Sequence, residues 1–237
     1  DQKDFAIRTF GLPGGAGYLG VCFGRVITAN RPAARPGSVS SWEAILWHEF
    51  THVITLTLTK NKMPRWLSEG ISVFEERQQR GNWGEQMKPR YRAMILSDED
   101  FTPVSRLSSA FMRPKSPVHL GFAYYESSLV VEWLIERWGL EKMKALLADL
   151  ARGGEINGAL AKHFAPIEKL DDEFAGHARR LATAVGPQVN WDKPKPRELR
   201  TAESAAQILA EKPTNYDAIL SYAQHLLDAK KWKEAKA

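Results

Sequence analysis

The sequence predicts an α+β fold in which a small N-terminal β-sheet precedes a mostly helical remainder. Two observations support this prediction. Apolar β-branched and aromatic residues cluster in short strand-like runs before residue 30, whereas the apolar residues beyond residue 42 recur at helical spacing. With 237 residues, of which 43% are hydrophobic, the chain can bury a full core and still add a small second unit.

The N-terminal part is expected to form a β-hairpin. Residues 5–10 and 21–28 both have the composition of strands, and the segment between them is rich in glycine. Residues 15–20 match G-x-G-x-x-G, the dinucleotide-binding pattern, but that motif needs a helix after its glycines and a strand follows here. We therefore interpret the glycines as a hairpin connection.

The next predicted element is a helix that contains the pattern H-E-x-x-H at residues 48–52. Ser40 and Glu43 have the spacing of a capping box that starts this helix, and residues 61–64 end it. The helix is expected to be buried, and with it both histidines, through five apolar residues: Ala44, Ile45, Trp47, Val53 and Ile54.

His48 and His52 lie four residues apart, so they share one helical face and both imidazoles can reach the same metal ion. Glu49 is then placed beside that ion, where it can accept a proton from water. The spacing therefore indicates a metal site with a general base next to it.

A second helix is predicted from about Pro64 through Glu76, and Glu69 on it is the candidate third ligand. Glu69 follows His52 by 17 positions, enough for one helix to end and the next to return antiparallel. It lies among apolar residues, where an unpaired carboxylate would be costly. Two imidazoles and one carboxylate on Zn²⁺ leave a fourth position for water, as in hydrolytic zinc sites.

H-E-x-x-H followed by W-L-x-E-G at residues 66–70 resembles the gluzincin metallopeptidases, the superfamily that includes thermolysin and the zinc aminopeptidases. More narrowly, residues 1–185 are similar to the bacterial peptidase-MA-like domains that are often joined to tetratricopeptide repeats. The resemblance implies a zincin-like domain. It also implies an edge strand that binds the substrate backbone above the metal, for which 21–28 is the candidate.

The same resemblance implies the roles of individual residues. His48, His52 and Glu69 are the expected Zn²⁺ ligands, and Glu49 is the expected general base for cleavage of a peptide or protein substrate. Glu76, on the helical face of Glu69, is expected to orient a ligand imidazole from outside the ligand set.

Six further helices are expected, over 85–97, 104–111, 122–138, 140–151, 155–164 and 167–184. The start of the third is similar to the tyrosine-containing helix that follows the zinc motifs in the gluzincins. This implies a phenol that donates a hydrogen bond to the tetrahedral oxyanion. Tyr124 is favoured for this role over Tyr125, and His119 is a weaker candidate.

Proline and glycine content predicts a linker at 186–200 between a peptidase-like domain at 1–185 and a helical repeat at 201–237. Counted from Tyr216, six residues match tetratricopeptide positions: Ile219, Tyr222, Ala223, Leu226, Trp232 and Ala235. A single repeat cannot bury its own apolar face, so we expect further repeats and a protein partner bound through them.

Composition excludes other classes. The net charge of +5 is scattered and is not interleaved with aromatic residues on one face, so nucleic-acid binding is not expected. No apolar run approaches the roughly 18–20 residues of a membrane span.

Cys22, the single cysteine, excludes an internal disulfide. The chain begins with Asp1 and shows no signal peptide, and we expect a bacterial periplasmic or secreted location after removal of a leader.

The predicted function is zinc-dependent hydrolysis of peptide bonds. Two alternatives stay open: a zincin-fold scaffold that binds peptides without cleaving them, and a zinc amidohydrolase that acts on a non-peptide amide. Glu49 argues against the scaffold, because a binding module does not need that carboxylate. The two enzymes share the same residues.

Overall fold

Helices dominate the residues that the computed structural model describes, which are 20–24, 26–29, 41–232 and 234. Two compact units divide the chain, one ending at Ala182 and the other beginning at Thr183. In chain order the elements are β1 (Gly20–Phe23), β2 (Val26–Ala29), α1 (Trp42–Leu58), α2 (Arg65–Gln79), α3 (Pro89–Ile95), α4 (Leu107–Met112), α5 (Pro117–Trp138), α6 (Leu140–Ala151), α7 (Ile156–His163), α8 (Ile167–Ala184), α9 (Ala202–Glu211) and α10 (Tyr216–Asp228). This is the predicted combination of a small sheet and a helical remainder.

Strands β1 and β2 form an antiparallel hairpin in which Gly20 pairs with Ala29. The prediction of one continuous strand over 21–28 is wrong, because the chain reverses at Gly24. The φ of Gly24 is +61°, a left-handed conformation that glycine adopts without steric cost and that tight hairpin turns require. The predicted strand at 5–10 and the glycines before Gly20 lie outside the described residues.

Helix α1 begins at Trp42, with Ser41 rather than Ser40 at the N-cap. The Ser41 side chain makes no capping hydrogen bond to the helix, and its hydroxyl lies 3.4 Å from Glu43 Oε2. With Ser41 at the N-cap, the third residue of the helix is Ala44, so Glu43 does not occupy the position that the expected capping box between Ser40 and Glu43 requires.

The buried side of α1 is polar, which corrects the expectation of an apolar buried face. Ile54 is 46% exposed and belongs to an exposed apolar stripe with Trp42, Phe50 and Leu58. The buried side carries three threonines, Thr51, Thr55 and Thr59. Each hydroxyl donates to the carbonyl four residues earlier, at 2.9, 2.9 and 2.8 Å. Because these small side chains are satisfied within their own helix, burying them leaves no unpaired donor.

Helix α5 is the centre of the core of the first unit. Val130 and Leu134 on this helix are fully buried, and the core extends to Phe174 on α8. Helices α2 and α5 lie close together at Gly70, where an added Cβ would lie 2.8 Å from the carbonyl oxygen of Ser127. Glycine at this position lets the two helices lie in direct backbone contact.

The helix bounds follow the predictions closely for the last three helices of this unit and less well for the short ones. Helices α6 and α8 have the predicted bounds, and α7 is one residue shorter at each end. Helix α5 begins at Pro117, five residues early, because Ser116 caps it by accepting from the His119 amide. The predicted helix over 104–111 divides into a 3-10 turn, Val104–Arg106, and α4.

The second unit contains a 3-10 turn, Pro196–Leu199, and the pair α9 and α10. The segment expected to be a linker lies inside this unit: the ring of Trp191 is 5.1 Å from that of Tyr216, and the Asn190 amide donates to the Thr214 carbonyl at 3.0 Å. Three apolar residues of α10 stay exposed: Ile219, Leu220 and Leu227. Within the described part of the chain, no helix has both the length and the apolar character needed to cross a membrane.

Candidate metal centre

Helices α1 and α2 bring together His48, His52 and Glu69. Each residue offers one ligand atom, and the three atoms lie within 4.8 Å of one another. Glu69 Oε2 is 3.2 Å from His48 Nε2 and 3.3 Å from His52 Nε2. The two imidazole rings meet edge to face, with centroids 4.7 Å apart.

The two separations that involve Glu69 fit a small tetrahedral cation, and the ligand atoms of His48 and His52 lie within 4.8 Å of each other. Ligand atoms bonded at about 2.0–2.1 Å in tetrahedral geometry lie about 3.3 Å from each other. The carboxylate oxygen of Glu69 already stands at 3.2 and 3.3 Å from the two imidazole nitrogens. Two neutral nitrogen donors and one carboxylate form a donor set that suits a divalent transition-metal ion.

The second ring nitrogen of each histidine is held from helix α2. Nδ1 of His48 lies 2.5 Å from Oε1 of Glu76. Nδ1 of His52 lies 2.9 Å from the Ser68 hydroxyl and 3.2 Å from the Ser72 hydroxyl. With Nδ1 acting as a donor to these groups, Nε2 of each ring keeps its lone pair for a metal. Glu76 therefore stands where the resemblance placed it.

The acidic surroundings set the protonation of the site. Burial by itself would lower the pKa of His48, but hydrogen bonds to Glu69 and Glu76 outweigh burial and raise it to about 10. Burial by itself would raise the pKa of Glu69, but hydrogen bonds from His48 and His52 hold it far below its usual range. The same carboxylates attract a divalent cation, whose binding requires His48 to release its proton.

Glu49 lies on α1 between the two histidines and is 7% exposed. Strand β1 covers it: a Cβ added to Gly20 would be 2.9 Å from Glu49 Oε1. Burial raises the pKa of Glu49, and this effect exceeds the opposite influence of His48 and His52. A carboxylate whose pKa is raised toward neutrality is suited to accept and return a proton.

Of the three candidates for an oxyanion donor, the structure brings Tyr124 to the metal centre. Its hydroxyl donates to Glu69 Oε1 at 3.2 Å. Burial and the neighbouring Glu69 raise the pKa of Tyr124 to about 12, so the phenol keeps its proton near neutral pH. Tyr125 is buried in the core instead, and His119 lies against Asp100 with its Nε2 at 3.2 Å from Oδ1.

Four residues of this region were not identified from the sequence: Gly20, Arg65, Ser68 and Ser72. Arg65, Glu69, Ser72 and Glu76 recur every three or four residues along α2, so they share one helical face. This periodicity was a usable signal for Arg65 and Ser72. Gly20 offered no signal, because its contact with Glu49 depends on how the hairpin docks on α1.

Comparison with known proteins assigns the chain to a family. The sequence model described as the Peptidase MA superfamily matches residues 31–177, which include His48, His52 and Glu69 and make up more than half of the chain. No curated protein and no solved structure matches this chain. This match and the cluster of His48, His52 and Glu69 support a peptidase-like domain able to bind a metal ion. The chain belongs to the Peptidase MA superfamily.

Proposed function

We propose that the protein is a zinc-dependent peptidase of the gluzincin type, with His48, His52 and Glu69 as the Zn²⁺ ligands. The observation that carries the proposal is the convergence of three ligand atoms within 4.8 Å of one another. Glu69 Oε2 lies 3.2 and 3.3 Å from the two Nε2 atoms, and both Nδ1 atoms are engaged elsewhere. This is the donor set of a zinc site that keeps one position open for chemistry.

When bound, Zn²⁺ supplies Lewis acidity, which lowers the pKa of a water molecule and polarises the scissile carbonyl. Glu49 follows the first ligand in sequence, is shielded by β1 and has a raised pKa. In the proposed reaction Glu49 takes the proton of the attacking water and delivers it to the leaving amine, so that the carboxylate is regenerated in each cycle.

Tyr124 is the proposed donor to the oxyanion of the substrate. Its hydroxyl is held at the Glu69 carboxylate, and its pKa of about 12 keeps a proton available for donation. A hydrogen bond that strengthens as negative charge develops on the substrate lowers the barrier rather than the ground state.

The test combines metal analysis with cleavage of a broad library of unstructured peptides. We expect about one zinc per chain and library cleavage that falls at least ~10²-fold in Glu49→Gln while zinc stays bound. Glu43→Gln is the matched control, because Glu43 lies on the same helix and is exposed. Zinc binding without any cleavage by the wild type would support a peptide-binding scaffold instead.

We also propose that α9 and α10 begin an array of tetratricopeptide repeats that recruits a protein. The exposed Ile219, Leu220 and Leu227 on α10 support this proposal, because repeats bury such faces against their neighbours. A chain cut near Gly186 should keep zinc and cleave short peptides as well as the full chain does. Loss of zinc in the shortened chain would show that the two parts depend on each other.

A further inference from the structure

Arg65 joins two residues of the proposed active site that belong to different helices. It is the first residue of α2 and stands one helical turn before Glu69. Its Nε donates to Glu69 Oε1 at 3.2 Å, and its Nη2 donates to the Tyr124 hydroxyl oxygen at 3.0 Å. The ring of Phe111 lies beneath the guanidinium, 5.5 Å from its carbon, and meets the Tyr124 ring edge to face with centroids 5.3 Å apart.

The hydrogen bond between Tyr124 and Glu69 creates a difficulty for catalysis. A tyrosine hydroxyl has one proton, and Tyr124 donates it to Glu69 Oε1. To donate to the oxyanion of a substrate, the O–H of Tyr124 must turn away from Glu69 and give up this hydrogen bond. A largely buried carboxylate oxygen that loses its donor carries a penalty, which would oppose the transfer.

The two bonds of Arg65 remove this difficulty. Glu69 Oε1 keeps the N–H of Arg65 when the Tyr124 proton turns away, so the carboxylate oxygen is never left without a donor. The Tyr124 oxygen keeps the N–H of Arg65 as well, so the phenol rotates its proton without moving its oxygen. A planar guanidinium can hold both acceptors at once, because its N–H groups project in a fixed fork.

We propose that Arg65 is a positioning residue that allows the Tyr124 hydroxyl to switch its hydrogen bond from Glu69 to the substrate oxyanion. The inference rests on the proposed function, since it takes Tyr124 as the oxyanion donor. It goes further because Arg65 then shares in the stabilisation of the substrate oxyanion that Tyr124 provides. Arg65 does so through the fixed geometry of its two hydrogen bonds and not merely through its charge.

The first test is a double-mutant cycle on turnover in the full-length zinc enzyme, with the best peptide from the library. Tyr124→Phe and Arg65→Met should each lower kcat by about 10²-fold with little change in KM, the signature of an interaction made in the transition state. The double variant should be no slower than the slower single variant, because both substitutions remove the same donor function.

Two further variants separate geometry from charge and from folding. Arg65→Lys keeps the positive charge but cannot hold two acceptors in a fixed plane, so kcat should fall nearly as far as in Arg65→Met. Arg80→Met is the matched control, because Arg80 ends the same helix and is more exposed, with an ion pair to Glu43 at 3.4 Å. Full activity in Arg65→Lys would overturn the proposal.

The second test does not require turnover. Co²⁺ takes the same ligands and gives a visible spectrum that reports anion binding, and inorganic phosphate is a small tetrahedral oxyanion. Its Kd should rise about tenfold in Tyr124→Phe and in Arg65→Met and no further in the double variant. Arg80→Met should leave this Kd unchanged.

The outcomes distinguish this inference from the proposed function. Wild-type cleavage that is lost in Glu49→Gln, together with additive effects of Arg65→Met and Tyr124→Phe, would refute the role of Arg65 and leave the peptidase intact. Absence of wild-type cleavage would refute the proposed peptidase activity. The double-mutant cycle on phosphate binding would then decide whether Arg65 and Tyr124 act together on an oxyanion. A non-additive cycle supports the joint action of Arg65 and Tyr124, and an additive one rejects it.

Discussion

Replacing Gly70 by alanine should destabilise the protein, although alanine normally favours a helix. The added Cβ would lie 2.8 Å from the carbonyl oxygen and 2.9 Å from the carbonyl carbon of Ser127, which are backbone atoms that cannot rotate away. Overpacking costs roughly 1–3 kcal/mol, and a contact of 2.8 Å with backbone atoms puts this site in the upper part of that range, roughly 2–3 kcal/mol. The gain in helix propensity returns about 1 kcal/mol. The net loss of about 1–2 kcal/mol corresponds to a fall in Tm of roughly 2–8 °C.

The matched control is Gly176→Ala in the interior of α8. A Cβ there would meet only the end of the Arg180 side chain, at 3.4 Å, an ordinary contact. The same substitution should therefore raise the free energy of unfolding by roughly 0.5–1 kcal/mol. Thermal unfolding followed by circular dichroism compares both variants with the wild type. Shifts of the same sign, or a Gly70→Ala variant as stable as the wild type, would refute the argument from close helix packing.

Three further predictions concern the metal and a buried acid. Glu76→Gln should weaken zinc binding about 10–100-fold, measured by competition with a coloured chelator, because Glu76 orients His48. Removing zinc with a chelator should lower Tm, and restoring zinc should recover it, because the metal binds the folded state. Burial raises the pKa of Glu126 well above its usual value, so between the unfolded and folded pKa values only the folded state retains the proton. Wild-type stability should therefore fall as pH rises from the ordinary glutamate pKa of 4.5 toward the raised pKa of the folded state, and the Tm of Glu126→Gln relative to the wild type should rise over that interval.

The grouping of His48, His52 and Glu69 could be predicted from the sequence because these residues follow the periodicity of two helices. His48 and His52 are one helical turn apart on α1, and Glu69 lies on the next helix, α2, after one short loop. Once both helices form and pack antiparallel, the three side chains have few other places to lie. The bounds of α6 and α8 were predictable for a similar reason, since their apolar residues recur at helical spacing and glycine precedes α6.

Errors arose where local composition gave the wrong signal. Residues 21–28 contain the β-branched residues of a single strand, but the backbone freedom of Gly24 lets the chain reverse. On α1 the apolar residues were expected inside, whereas Ile54 is exposed and the threonines are buried. A threonine that bonds its own helix is compatible with burial, and composition alone does not reveal that bond.

The contacts of Arg65 depend on long-range packing. Its bond to Glu69 spans one turn of α2 and could be expected from spacing, but its bond to Tyr124 joins residues 59 positions apart. Such a contact is decided by the approach of α2 to α5 at Gly70, where no side chain intervenes. Sequence periodicity describes each helix but not the distance between two of them.

The proposed metal ligands and the groups that hydrogen-bond to their imidazoles all come from α1 and α2, whereas Tyr124 lies 55 positions from its partner Glu69. Formation of the ion site therefore closes only a short loop of chain, and recruitment of the phenol requires a much longer one. The two events can be lost separately. Tyr124→Phe should therefore produce a protein that still retains its ion but has lost most of its turnover, so metal content alone is a poor measure of activity.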